Sequence, residues 1–401
     1  MRKLLLVLIS IILLGTMASC DRTGAGGSSS GGSFPGKIAI VTNTVDQNEE
    51  EFRSAEALVH KYGADKVIHR TWPVNFGAEG EQMITTMREI ANDPEVGAII
   101  INQAVINTNA AIDAVRQMRR DIFIVSASPA EDPAQVAARV DLALDVDNLV
   151  LGEPLVMQAK AQGAQTIVHY SFPRHMGVPQ LAWRRDVMRE TAIREGLRFE
   201  ELTTPDPLGD GGQSATEMHI MQDLPRAVQE YGVNTAFFGT NCAMQTPIIT
   251  QVLATGAIYP QPCCPSPYHG FPGTLGITDR IPSGEFTADG QPILTLRNIS
   301  EVVDETRRAI TQRGMAGRLS TWAVPASMMW TTIGAEYAIA WLNGQAPREL
   351  GVIDLNLLNR LAEEYTESLY GEPMGVAFNH FTLDGQTYNH YILGLVNFLT
   401  Y

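Results

Sequence analysis

Short apolar strands alternating with longer helical stretches, in two successive rounds, predict an α/β protein of two lobes, each built on a parallel sheet. Two observations carry this expectation. The run VGAIIINQAV (96–105) is apolar at consecutive positions, so both of its faces must be covered, as they are in parallel sheets. The same rhythm then restarts near residue 165, and 401 residues are more than one domain usually holds.

The first round opens with KIAIVTNT (37–44), a β-branched run ending in polar residues. Beyond it Phe52, Ala55, Val59 and Tyr62 recur at spacings of three and four, one face of a helix that Gly63 stops. KVIHRTW (66–72) reads as a strand and GEQMITTMREIAND (80–93) as a helix. VGAIIINQAV then leads into the helix NTNAAIDAVRQMRR and the strand DIFIVSASP (121–129). The segment around 141–160, DLALDVDNLVLGEPLVMQAKAQGA, closes the round and ends in a long helix.

In the second round QTIVHYSFPRH (165–175) is strand then loop, PQLAWRRDVMRETAIREG a helix and LRFEELTTPD a strand. QSATEMHIMQDLPRAVQEYG is a helix, VNTAFFGTNC (233–242) a buried strand and AMQTPIITQVLATG a helix. After residue 257, AIYPQPCCPSPYHGFPGTLGI is too rich in proline and glycine for helix. Two helices follow, near 297–316 and 325–343. The tail GVAFNHFTLDGQTYNHYILGLVNFLTY reads as two strands turning at Asp384-Gly385, a dipeptide that tight hairpins favour. The chain thus divides into a Rossmann-like lobe at 36–160 and a second at 161–320. Residues 321–401 form crossover helices and strands shared between the two.

The N-terminus is an address rather than part of the fold. Arg2 and Lys3 precede the apolar stretch Leu4 to Leu14, and small residues Ala18 and Ser19 precede Cys20, the layout of a signal peptide over 1–19. Met17-Ala18-Ser19-Cys20 resembles the bacterial lipobox, with Met17 where leucine is usual. That resemblance implies a Cys20 thiol that carries lipid and becomes the new N-terminus. GAGGSSSGGS (24–33) follows inside a flexible tether, 20–35. Ten such residues reach roughly 15–20 Å, enough to hold a folded body off a membrane. The expected location is extracytoplasmic, lipid-anchored to a bacterial membrane.

A net charge of −15 with no Lys/Arg cluster argues against nucleic acid as a partner. Past residue 20 no window approaches the roughly 20 apolar residues that cross a bilayer. There is no G-x-x-x-x-G-K-[ST], and the first strand continues as VTNTVDQN rather than G-x-G-x-x-G, so no cofactor is expected.

In open parallel sheets ligands bind beyond the carboxyl ends of the strands. Those places hold Asn43, Thr44, Trp72, Gln103, Ser126 and Ser128 in the first round. In the second they hold Phe172, His175, Thr240 and Asn241. Neutral hydrogen-bonding groups mixed with aromatics suit a small polar, ring-bearing ligand such as a sugar or nucleoside. The alternative for each Ser, Thr or Asn is that it caps the next helix.

No catalytic set is recognisable, since no G-x-S-x-G occurs, and the chain is expected not to be an enzyme. The eight histidines lack metal-ligand spacing, and no metal site is expected. Cys242, Cys263 and Cys264 leave three readings open: buried free thiols, a disulfide within the trio, or a reactive Cys242 at a strand end. The acidic run from Asp46 to Glu51 opens a helix, where carboxylates suit the positive end of the dipole, and reads as a solvated face.

Taken in order, KIAIVTNT, VGAIIINQAV, DIFIVSASP and VNTAFFGTNC resemble the type I periplasmic (solute) binding proteins over about residues 36–401. The chain is similar to an uncharacterised family of periplasmic-binding-like bacterial lipoproteins, and more distantly to the basic membrane lipoprotein nucleoside receptors. The resemblance implies two lobes joined by hinge crossovers, closing on a ligand and docking on the permease of an ABC importer. The Pro/Cys-rich segment 259–273 departs from the nucleoside receptors, so their ligand does not transfer. Two rivals remain: an extracytoplasmic α/β enzyme, and a receptor that signals to a membrane partner.

Overall fold

The computed structural model describes residues 33–45, 47–286 and 292–401; the signal peptide, Cys20 and nearly all of the tether lie outside them. In the first lobe β1 (Lys37–Thr42), β2 (Val67–Thr71), β3 (Val96–Asn102), β4 (Phe123–Ala127) and β5 (Leu142–Val146) are parallel. Between them run α1 (Glu49–Tyr62), α2 (Gly80–Asn92), α3 (Thr108–Met118) and α4 (Pro133–Ala137). β3 lies inside the sheet and is buried almost throughout, as its unbroken apolar run requires.

The segment at 141–160 corrects the sequence reading. It splits into β5 and a ten-residue helix, α5 (Gly152–Ala161). Leu155, Val156 and Ala159 of α5 pack with Ile167, Ala236 and Phe238 of the second lobe. The chain therefore leaves the first lobe at 147–151, before residue 160.

The second lobe contains β6 (Thr166–Ser171), α6 (Pro173–Met176), α7 (Pro179–Arg194), β7 (Arg198–Thr203), α8 (Gly212–Tyr231), β8 (Thr235–Gly239) and α9 (Gln245–Thr255). Its parallel sheet runs β7-β6-β8, and single bridges extend it to Ile258 and from Tyr259 to Leu319. The Pro/Gly-rich segment is not wholly without helix, because Phe271–Leu275 forms one short turn, α10, with Pro272 in its first turn. Next come the antiparallel pair β9 (Arg280–Phe286) and β10 (Pro292–Leu296), α11 (Ile299–Gln312) and β11 (Ser320–Trp322).

The chain then returns to the first lobe. α12 (Ala326–Leu342) is apolar on every side and buried, covering one face of the sheet through Met329, Trp330, Ile333 and Tyr337. Each such side chain contributes about 1.5–3 kcal/mol by leaving water. Gly334 lets the helix approach the strands, since a Cβ there would meet Val125 at 3.1 Å. α13 (Leu355–Tyr370), unforeseen in the sequence, packs on α12 and is capped by Asp354, whose carboxylate accepts from the N–H groups of Asn356 and Leu357.

β12 (Val376–Leu383) and β13 (Gln386–Val396) form the expected hairpin, with Asp384 (φ 50°) and Gly385 (φ 79°) at its turn. β13 pairs in parallel with β5, so the sheet order becomes β12-β13-β5-β4-β3-β1-β2. Finally β14 (Phe398–Thr400) crosses back to pair with β11.

Three crossings thus join the lobes, at 147–151, 323–325 and 397. They are bonded side by side: Asp147 N–H donates to the Gly394 carbonyl, and Ala323 N–H to the Asn397 carbonyl, both at 3.0 Å. Asn379 Nδ2 donates to Asp147 Oδ2 at 3.0 Å. A cavity of about 320 Å³ lies beside them, lined by Leu151, Trp322, Val376, Leu395 and Phe398 among others.

Candidate ligand-binding cleft

The carboxyl ends of β1, β3 and β4 in one lobe and of β6 and β8 in the other border the space between the lobes. Contacts across it fix that arrangement. Ser266, from the proline-rich segment of the second lobe, donates to a carboxylate oxygen of Glu50 at the start of α1. Arg280 of β9 pairs with Glu49 beside it.

On the first lobe Asn43, Gln103 and Trp72 form one connected group. Asn43 Nδ2 donates to Gln103 Oε1 at 3.3 Å, and Trp72 Nε1 donates to the Gln103 carbonyl at 3.1 Å. The Asn43 N–H donates to Glu51 Oε1 at 3.0 Å. Trp72 is 1% exposed in this conformation, so its ring is packing material as the lobes now stand. Ser126 is buried with its hydroxyl unpaired, as is Asn43 Oδ1. Ser128 (φ 47°) donates its N–H to Leu144, and Thr44 donates to Gln47 at the surface; neither joins the Asn43 group.

On the second lobe Phe172, His175 and Thr240 form the matching group. The His175 ring lies 4.1 Å from that of Phe172, and His175 Nδ1 is 3.2 Å from Thr240 Oγ1. Thr240 is bonded in turn to Ser171 at 2.9 Å. Burial, helped by the nearby Arg174, lowers the His175 pKa to about 4, so the ring is neutral near neutral pH. Arg174 itself is held by Asp206 through two contacts of 2.8 Å. Phe172 is 1% exposed. Asn241 uses its carbonyl oxygen to cap the Ala243 N–H at 2.9 Å, the capping role that was its alternative.

The acidic run is not a solvated face. Glu51 is fully buried and Glu50 half-buried, and Glu49, also half-buried, pairs with Arg53 and Arg280. Burial pushes the Glu51 carboxyl up to about 8, against the lowering effect of the Asn43 and Gln103 N–H groups. It pushes Glu50 up to about 7. Ser266 of the proline-rich segment, more than two hundred residues away in sequence, bonds Glu50, whereas Glu51 is bonded from its own lobe by Asn43.

The cysteines are the second feature that sequence spacing did not disclose. Cys242, just past β8, lies 3.0 Å from Cys264 and 3.5 Å from Cys263 by sulfur positions. Cys263 and Cys264 are 3.7 Å apart. All three are free thiols, Cys242 exposed and the others half-buried. The one clue available was YPQPCCPSP, where four prolines brace a cysteine pair.

Two parallel-sheet lobes, three adjacent crossings and strand ends facing a shared cleft define a periplasmic binding protein type I-like fold. Within it, the chain belongs to the family described as "Protein of unknown function (DUF3798)", matched over residues 36–320. Two uncharacterized proteins of Treponema pallidum (strain Nichols) are similar. One is 31% identical over 172 residues, spanning 43% of this chain and 80% of the relative. The other is 29% identical over 178 residues, with the same coverage.

Among solved structures, one named a putative transcriptional regulator from Clostridium difficile 630 is similar with a TM-score of 0.74 at 22% identity. It covers 92% of this chain and 100% of its own. A sugar ABC transporter structure from Actinomyces odontolyticus ATCC 17982 gives a TM-score of 0.50 at 10% identity, covering 79% and 86%. At these identities the likeness is one of fold.

Proposed function

We propose that this protein is an extracytoplasmic receptor, tethered through a lipidated Cys20, that holds a small polar, ring-bearing ligand between its lobes for an ABC importer. Ligands of the sugar or nucleoside class fit this reading, and no chemical step on them is part of it. The observation that carries it is a set of buried, unpaired polar groups on both lobes, at and near the strand ends. Asn43 Oδ1, Glu51 Oε2 and Ser126 Oγ stand on one lobe, and both amide atoms of Gln261 on the other. Leaving such a group buried and unbonded costs about 1–3 kcal/mol each. A polar ligand that bonds to several of them recovers that cost on binding. The sugar transporter neighbour, by its name, supports the sugar class. The three crossings supply a hinge on which the lobes close.

The test is a melting-temperature screen of the protein against sugars, nucleosides, vitamins and amino acids. A ligand at 100 times its Kd adds about 2.7 kcal/mol. At roughly 2–4 °C for each kcal/mol in domains of this size, the shift is plain. A saturable shift with one class and no turnover supports the receptor. Turnover of the shifting compound overturns the non-enzymatic part, and no shift from ligand-free protein counts against the reading as a whole.

A further inference from the structure

The thiol trio lies outside the polar groups just described, and it is built more like a ligand set than like a disulfide with a spare cysteine. We propose that Cys242, Cys263 and Cys264 together hold one thiophilic metal ion, of the Zn²⁺ or Cu(I) class, with its remaining coordination position open to the cleft. This stands on the cysteines and their surroundings, not on the receptor reading.

Geometry comes first. Sulfurs bound tetrahedrally to one zinc at about 2.3 Å are about 3.8 Å apart. The separations of 3.5 and 3.7 Å are already near that value, and the 3.0 Å edge has to open by under about 1 Å. A disulfide closes one pair to about 2.05 Å and leaves a third thiol pressed against it. All three ligand atoms lie within 4.8 Å of one another, close enough for a single ion. In a [4Fe–4S] cluster each cysteine attaches to a separate iron, so the sulfurs spread more widely. Three thiolates select soft or borderline ions over Mg²⁺ or Ca²⁺.

The surroundings are the second, independent observation. Arg184 is 3% exposed and stands close enough for Cys263 and Cys264 to act on its charge. Its bonds are to neutral groups: Nη1 donates to Asn148 Oδ1 at 2.8 Å, and the guanidinium lies 4.9 Å from the Phe238 ring. Its Nε is buried without a partner. Asp145 also acts on that buried charge; a neutral disulfide adds nothing to it, whereas a divalent ion with three thiolates adds one net negative charge.

Gln245, 1% exposed, accepts the Cys264 N–H at 3.1 Å and the Cys263 thiol at 3.4 Å on Oε1. Its Nε2 is buried and unpaired, a donor left over for a thiolate. Pro260, Pro262, Pro265 and Pro267 hold the cysteine pair on a stiff segment, so little ordering is needed on binding. Cys242 is open to solvent. That leaves the ion one open side, as catalytic and cargo-binding zinc sites have and closed structural sites lack.

The experiment uses the full chain in detergent with Cys20→Ser, leaving the three cysteines, reduced and stripped of metal under anaerobic conditions. Cd²⁺ is titrated while the thiolate-to-cadmium absorption is recorded, and Co²⁺ reports geometry through its ligand-field bands. The expected result is one ion per chain, tetrahedral cobalt bands, and protection of all three thiols from alkylation by Zn²⁺. Each of Cys242→Ser, Cys263→Ser and Cys264→Ser then weakens binding more than tenfold, and Gln245→Leu by about tenfold with the cadmium band retained. Alkylation protection needs no variant, so a misfolded substitution does not spoil the test. Binding that ignores any one of the three cysteines overturns the proposal. So does native protein whose mass shows a disulfide and whose metal uptake is unchanged by reduction. A ligand-induced melting shift in metal-free protein, alongside cadmium binding that ignores the cysteines, leaves the receptor reading intact while this one fails.

Discussion

The Ser266 hydroxyl donates to Glu50, and this one bond ties the proline-rich segment of the second lobe to the first helix of the first. The neighbouring Arg280–Glu49 pair makes the same connection. The lobes thus touch at two points on α1, away from the crossings. Ser266→Ala removes the bond and leaves a buried carboxyl without its donor, so the lobes should part. Small-angle scattering of the ligand-free protein should show a larger radius of gyration for Ser266→Ala than for the wild type. Equal radii would mean that the contact does not hold the lobes.

Glu51 supplies a pH prediction. Its carboxyl titrates near 4.5 in the unfolded chain and at about 8 in the folded one. Between those values the native state holds the extra proton, so stability is full below about 4.5 and is lost as pH rises through about 8. Across that window the wild type should lose on the order of 1.4 kcal/mol with each step of one in pH. Glu51→Gln keeps an acceptor for the Asn43 N–H and removes the titration. It should therefore be stabilising at alkaline pH and near neutral in effect at low pH. Denaturant midpoints across the pH range check this; parallel curves for the two proteins would contradict it.

His169 gives the opposite slope. It is buried in β6 near Phe199 and Phe238, and burial lowers its pKa from 6.5 to about 3. The unfolded chain binds the proton first, so stability is lost as pH falls from about 6.5 towards 3. His169→Phe should flatten that acid limb in urea unfolding at a series of pH values. An unchanged acid limb would locate acid sensitivity elsewhere.

Gly394 touches the hinge and the core together. It lies in β13 opposite Val146, and a Cβ there would run into the Trp330 ring of α12. Trp330 is fully buried and has no room to retreat. Gly394→Ala should therefore cost about 1–3 kcal/mol, as overpacked cores do. Calorimetry should show melting lowered by several degrees, and a variant that melts with the wild type would show that the ring yields.

Much of the fold was legible because its strands are buried on both faces. VGAIIINQAV needs no alternation to be recognised, and Asp384-Gly385 turns the hairpin where the dipeptide says it should. The segment at 141–160 misled for a physical reason. Leu142, Leu144, Val146, Leu149 and Leu151 run into Leu155 and Val156, so strand, loop and helix share one unbroken apolar pattern.

α13 was available in principle. Leu358, Leu361, Tyr365 and Leu369 follow helical spacing behind the Asp354 cap. The site was less legible, because its signals are not local. The carboxyls of Glu50 and Glu51 read as solvated, yet Ser266 of the far lobe bonds one and the end of β1 bonds the other. The three thiols become neighbours because Ile258 bridges to Ala236 of β8, which sets the segment that follows beside the end of that strand.

The most direct measurement compares ligand-induced melting shifts in Asn43→Ala and Gln261→Ala, one substitution on each lobe, using the first compound that shifts the wild type. Each removes a side chain with a buried polar atom that has no partner in the ligand-free protein. If the ligand is held between the lobes, each substitution should remove most of the shift, measured from that variant's own ligand-free melting temperature. A full-sized shift in either variant would mean that one lobe binds alone, and closure of the cleft on its ligand would not be how this protein works.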